Sequence, residues 1–207
     1  HLWSIYLHGH SRKRCVWRHT STPWKMTIVQ RIRVPIGIIF SLFFVYFSSP
    51  QPYPLMMGLG LTSLGLVMRI WAAGHIEKGI RLASCGPYQW TRNPLYFGSF
   101  LIGLGFSLAS SKAWIVVVFL LLFFALYIPV MRREENELEQ SFGSAYMSYR
   151  RKVPLFLPRF QNKSPILDSI PIRSTYTFRW HLVILNREYN AVVGCILIAM
   201  ILWLKTL

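Results

Sequence analysis

The sequence predicts an all-α, polytopic transmembrane helical bundle of four to five spans, with a polar pocket on its cytoplasmic side. Three observations lead there. Hydrophobic residues make up 53% of the 207-residue chain, and its mean hydropathy is +0.37. They come in continuous runs rather than at amphipathic spacing, and water cannot solvate such runs. The basic residues, which leave a formal charge of +16, gather in alternate loops between the runs.

At 24.2 kDa the length suits one domain or one small bundle. A charge of +16 also raises nucleic acid as a partner, but no zinc-ligand spacing, helix-turn-helix or stacking motif accompanies it. Basic side chains beside apolar runs are accounted for by the positive-inside rule and by anionic head groups, worth roughly 1 kcal/mol each near the surface. Cys15, Cys85 and Cys195 are isolated and odd in number, so neither a disulfide framework nor a metal site is expected. Cys85 reads as a small packing residue.

Residues 1–25 carry five basic residues and no acidic one, and read as an upstream or disordered extension. From Met26 the segment MTIVQRIRVPIGIIF resembles a natural start, two arginines followed by an apolar run. Ser48-Ser49-Pro50 is a poor signal-peptide cleavage site, so the first span is read as uncleaved. On this reading residues 26–158 form the core, 159–190 a cytoplasmic linker and 191–207 a fifth transmembrane segment.

The first span is placed at Val34–Ser48, with Pro35 in its first turn. That is short against the ~20 residues a bilayer asks for. After an uncharged Pro-rich turn comes Leu55–Ala73, whose Gly58, Gly60 and Gly65 let helices approach closely. Leu95–Ala109 is the third span, started by Pro94 and carrying Gly98, Gly103 and Gly105. A tight SSKA turn leads to the fourth, Trp114–Met131, and Ala191–Leu204 is the last apolar run.

If the first four runs all span, every basic loop falls on one side. Lys78, Arg81 and Arg92 separate the second and third runs, and ten basic residues lie between Arg132 and Arg187. The two opposite loops hold only Lys112. The N-terminus and the polar motifs are therefore expected in the cytoplasm. Beyond the fourth span, Glu135, Glu139 and Phe142, with Leu138, Ala145 and Tyr149, continue a helical period from Arg133 to Arg151, broken at Gly143. VPLFLP, residues 153–158, reads as an extended apolar segment along the bundle or interface, and 161–190 as loosely structured.

Chemistry concentrates at two places. Gly86-Pro87 forms a turn before Tyr88, and Arg92-Asn93-Pro94 opens the third span. Asn93 is a good N-cap and Arg92 can snorkel to head groups, which is one complete account of both. Glu134 and Glu135 follow Arg132 and Arg133 at the end of the fourth span, where a solvated helix face is the plain account. The SSKA turn, however, makes the third and fourth spans antiparallel neighbours. Tyr88, Arg92, Asn93, Glu134 and Glu135 can then converge beside apolar walls, a setting for a polar cofactor meeting a lipophilic substrate.

GPYQWTRNPLYFG, a helical hairpin, and EENELEQSFGSAYMSYRRKVP together resemble the isoprenylcysteine carboxyl methyltransferase family and its phospholipid methyltransferase relatives. The resemblance covers roughly residues 65–158. Tyr88, Arg92, Pro94 and Tyr96 fall on its first motif, Glu134, Glu135 and Leu138 on its second, and Phe142, Gly143 and Tyr146 on its third. Asn93 stands where the family usually has His; it can donate and accept a hydrogen bond but cannot titrate near neutral pH. His75 is a candidate substitute, set against an ordinary interfacial role.

The resemblance implies S-adenosylmethionine as cofactor and a lipophilic or lipidated acceptor, with membrane lipids as the surroundings. Tyr88, Arg92, Asn93, Pro94, Tyr96, Glu134 and Glu135 would bind the cofactor. Arg132, Arg133 and Glu134 would serve the acceptor and the catalytic step, and Arg69 is a further residue able to orient an acceptor or simply snorkel. Methyl transfer by in-line displacement asks for alignment and exclusion of water, with no covalent residue or metal required. Two other classes stay open: a nicotinamide-dependent membrane reductase of related fold, and a non-catalytic membrane scaffold.

Overall fold

The computed structural model describes residues 28–77, 82–159 and 178–206, with side chains from Pro35 onward. The expectations for residues 1–25 and Met26, for Lys78 and Arg81, and for the stretch 160–177 lie outside the described residues. Within them the chain is all-helical: α1 (Ile28–Phe47), α2 (Pro52–Ala73), a 3-10 turn (Gly86–Gln89), α3 (Pro94–Ala109), α4 (Ala113–Phe142), α5 (Ser144–Lys152), α6 (Trp180–Leu185) and α7 (Tyr189–Leu204). Helices α2 and α4 are long and apolar enough to cross a membrane, while Pro35–Phe47, α3 and α7 are shorter apolar helices.

Close packing of α2 on α3 organises the bundle. Gly58 and Gly65, two turns apart, meet Gly105 and Gly98 in antiparallel register. A Cβ at any of the four would run into the facing backbone, so glycine sets how closely these helices approach. Gly103 makes room instead for the Phe119 ring of α4, and Gly60 has nothing within 4 Å. Phe44 of α1, Leu55, Phe106, Ala109, Ile115, and Cys195 and Leu202 of α7 form the buried centre. At one end the two short loops are tied together. The Ser49 N–H donates to the Ser110 carbonyl at 3.1 Å and the Gln51 N–H to the Ser111 hydroxyl at 3.2 Å.

Several boundaries differ from expectation. Helix α1 begins at Ile28, so Pro35 lies inside it and the helix reaches 20 residues. Helix α4 carries the fourth apolar run and the charged stretch as one rod of 30 residues. It breaks where expected: Gly143 has φ 51°, a conformation open to glycine, and α5 follows. The stretch 161–190 is not wholly loose, because its described part contains α6 and a buried Glu188.

The last helix is held at both ends by polar tethers. Near its start, Asn186 donates its side-chain amide to the Ala73 carbonyl at the end of α2, 3.2 Å away. Near its finish, Lys205 Nζ donates to the carbonyls of Val45 and Ser48, each at 2.7 Å. Helix α7, about 24 Å long at 1.5 Å per residue, therefore runs from the α2 C-terminal end of the bundle to the α1 C-terminal end.

Candidate active site

The end of α2, the start of α3 and the end of α4 meet on one side of the bundle, and the polar residues meet there with them. Arg92, in the loop before α3, forms an ion pair with Glu135 of α4, their side chains only 11% and 10% exposed. Tyr146 of α5 completes a triangle: its hydroxyl donates to Glu135 Oε1 at 3.1 Å and lies 3.5 Å from Arg92 Nη1. The bend at Gly143 permits this, since it folds α5 back so that a residue eleven positions on faces the carboxylate. Burial, and next the charge of Glu135, push the Tyr146 phenol up to about 12. Neither the snorkelling arginine nor the solvated glutamate describes this pair.

Tyr96 and Glu134 form a second link across the α3–α4 hairpin, the phenol donating to Glu134 Oε1 at 2.5 Å. Tyr96 also packs edge-on to Tyr127, ring centroids 5.3 Å apart. Tyr88, 5% exposed, is anchored through its backbone carbonyl, which accepts from the Tyr149 hydroxyl at 2.7 Å. Its own hydroxyl has no partner, and neither has Arg92 Nε, although both are buried. Desolvation above all, with Tyr149, Glu134, Glu188 and Tyr96 adding to it, raises the Tyr88 phenol well above its ordinary value. The hydroxyl is thus held protonated, a donor awaiting an acceptor.

The segment after α5 closes this side. Phe156 inserts among Phe97, Phe100, Phe123 and Phe124, with centroids 5.5–6.0 Å away. Backbone bonds pin it to the loop: the Arg92 N–H donates to the Pro154 carbonyl and the Arg159 N–H to the Trp90 carbonyl, both at 2.9 Å. Asn93 occupies the N-cap position of α3, but its side chain makes no capping bond. It donates instead to the Leu155 carbonyl at 3.0 Å, a correction to the simple capping role. Pro94, fully buried, starts the helix as expected.

The remaining sequence candidates are placed elsewhere. Arg132 is exposed, and Arg133 pairs with Glu137 one turn along α4, at 2.8 Å. His75 bonds through Nδ1 to the Trp71 carbonyl at 2.9 Å and packs against Phe178. Gly86, at φ 62°, lies against its ring, so His75 seats the loop on α2. Burial pushes the Cys85 thiol up, the opposite of an activated nucleophile. Sequence reasoning missed Glu188, which holds Arg69 in a bidentate pair at 2.8 and 3.0 Å. That pair replaces snorkelling as the account of Arg69.

Part of the chain is similar to known proteins. Residues 54–145 match the phospholipid methyltransferase family. The cobalt-zinc-cadmium resistance protein CzcN of Cupriavidus metallidurans is 37% identical over 112 residues, 51% of this chain and 50% of the relative. The protein-S-isoprenylcysteine O-methyltransferase of Schizosaccharomyces pombe is 29% identical over 136 residues, 63% of this chain and 57% of the relative. Its counterpart in Saccharomyces cerevisiae is 30% identical over 77 residues, 37% and 32% of the two chains. The chain spans about half the length of the first two relatives. No solved structure matches it significantly.

Proposed function

We propose that this chain, whose residues 54–145 match the phospholipid methyltransferase family, is an integral membrane methyltransferase that uses S-adenosylmethionine to methylate a lipophilic acceptor. The observation that carries the reading is the Arg92–Glu135–Tyr146 triangle beside the Tyr96–Glu134 pair. It joins the loop before α3 to the end of α4, where most of both motifs lie within the family-matched stretch.

The residues present suit a polar, zwitterionic cofactor. Arg92 retains Nε, and the Tyr88 hydroxyl is a buried donor without a partner. Both await an oxygen, such as a carboxylate or ribose hydroxyl. Glu134 and Glu135 offer negative charge to an amine or a sulfonium. When bound, the cofactor supplies an electrophilic methyl group, so the chain's task is alignment and exclusion of water. Phe97, Phe100, Phe123, Phe124 and Phe156 provide the apolar wall along which an acceptor chain would lie.

Helices α1 to α4, with α7 as a fifth, are read as spanning the bilayer, with the site on the cytoplasmic side where the basic loops gather. Arg132 and Arg133 lie at that boundary and would draw an anionic acceptor toward it. Incubating the purified chain with methyl-labelled adenosylmethionine and S-farnesylcysteine derivatives or phospholipids should label a lipid-soluble product. Reduction of a lipid by NADPH, with no methyl transfer, would favour the reductase instead. Neither activity would leave the scaffold.

A further inference from the structure

Arg69 lies four residues before the end of α2, and it is gripped rather than free to reach out. Nε donates to Glu188 Oε2 at 2.8 Å, Nη2 to Oε1 at 3.0 Å, and Nη1 to the Ser99 hydroxyl of α3. A guanidinium has five N–H donors, so two remain. The partners are unequally buried: the Arg69 side chain is 24% exposed and that of Glu188 6%. The accessible side of the pair is therefore the cation. Nearby, the Tyr88 hydroxyl, buried and without a partner, senses the Glu188 carboxylate.

Glu188 follows a strained backbone position. Arg187, just before it, has φ 56°, a left-handed conformation unfavourable for an L side chain. Helix α7 itself buries only Cys195 and Leu202. If Glu188 swung away from Arg69, its position at the α7 N-terminus would still offer it the positive end of the helix dipole. An incoming oxoanion would restore the charge balance at Arg69, which recognises carboxylate and phosphate by the same two-bond geometry.

We propose that Arg69 and Ser99 form a receptor for the oxoanion of a lipid-like ligand, and that Glu188 is an internal carboxylate filling it until that ligand exchanges in. The identity of the ligand as a methyl acceptor rests on the methyltransferase reading; the receptor does not. Its test is therefore binding rather than turnover.

The full chain in phosphatidylcholine nanodiscs is offered two anionic probes, N-acetyl-S-farnesylcysteine and dioleoylphosphatidate. Each is compared with its uncharged counterpart, the farnesylcysteine methyl ester or dioleoylglycerol. At least one anion should bind more tightly than its counterpart, on the order of tenfold for one charge-assisted contact. Which anion does so distinguishes a carboxylate source from a phosphate source. Glu188→Gln keeps the shape, removes the competing charge, and should tighten that anion by a further factor on the order of ten. The paired Arg69→Gln/Glu188→Gln variant, which leaves no unbalanced buried charge, should erase the preference. A purely structural salt bridge gives no anion preference in the native chain. Binding that is unchanged or weaker in Glu188→Gln, or no anion preference in the native chain, overturns the proposal. A parallel lack of adenosylmethionine binding would count against the methyltransferase reading alone.

Discussion

Asn93, at the start of α3, donates its side-chain amide to the backbone carbonyl of Leu155, 3.0 Å away. One bond thus fastens the segment after α5 to the loop that carries Arg92, and through it Phe156 to the aromatic wall. A ring N–H of histidine, the residue usual here in the family the chain resembles, is also a hydrogen-bond donor.

Asn93→His should accordingly keep most of the native stability. Asn93→Asp places one acceptor against another and should cost about 1–3 kcal/mol. Thermal unfolding in detergent compares the two. An Asp variant as stable as the native chain would mean that the bond does not hold the segment.

Arg92 and Glu135 are each about 10% exposed, so removing either strands a charge. Arg92→Ala or Glu135→Ala should destabilise by about 3–5 kcal/mol, whereas Arg92→Met/Glu135→Leu should recover much of that. Cofactor binding should stay lost in the recovered double variant. Denaturant unfolding beside a binding titration separates the effects; a double variant that binds normally would reduce the pair to scaffolding.

Much of this was legible in the sequence because the signals were local. Apolar runs located the helices, four of the six spaced glycines read in the second and third spans (58, 65, 98 and 105) sit at a close approach, and Gly143 marked the break before α5. The Tyr96–Glu134 bond was not drawn from the four-residue turn that fixes the hairpin, whereas Arg92 and Glu135 could be brought together because of it. Glu188 could not: it lies 119 residues from Arg69, in a polar stretch with no periodicity to betray a buried face. Asn93 misled for a related reason, since its capping propensity is local while the carbonyl it serves is 62 residues away.

Tyr146 gives a pH signature. Its phenol sits near 12 when folded against an ordinary value of 10.0, so the folded state favours the protonated form. The stability this contributes is fully present below about pH 10 and is lost as pH rises toward 12. Unfolding midpoints taken from pH 9 to 12 should fall above pH 10, and less steeply in Tyr146→Phe. Equal slopes would show that the phenol is not shielded as described.

Orientation is tested with reporters. One fused at Ser111 should read as non-cytoplasmic and one at Gly143 as cytoplasmic, because the basic loops lie with Gly143. The reverse pattern would cut the site off from cytoplasmic adenosylmethionine.

The central claim is a cofactor site at the α3–α4 junction, and equilibrium binding of labelled adenosylmethionine to the purified chain tests it most directly. Saturable binding is expected, weakened roughly tenfold to a hundredfold in Glu134→Gln by loss of one charge-assisted contact and unchanged in Lys112→Ala at the opposite end. Saturable binding of NADPH with none of adenosylmethionine, or Glu134→Gln behaving like Lys112→Ala, would contradict it.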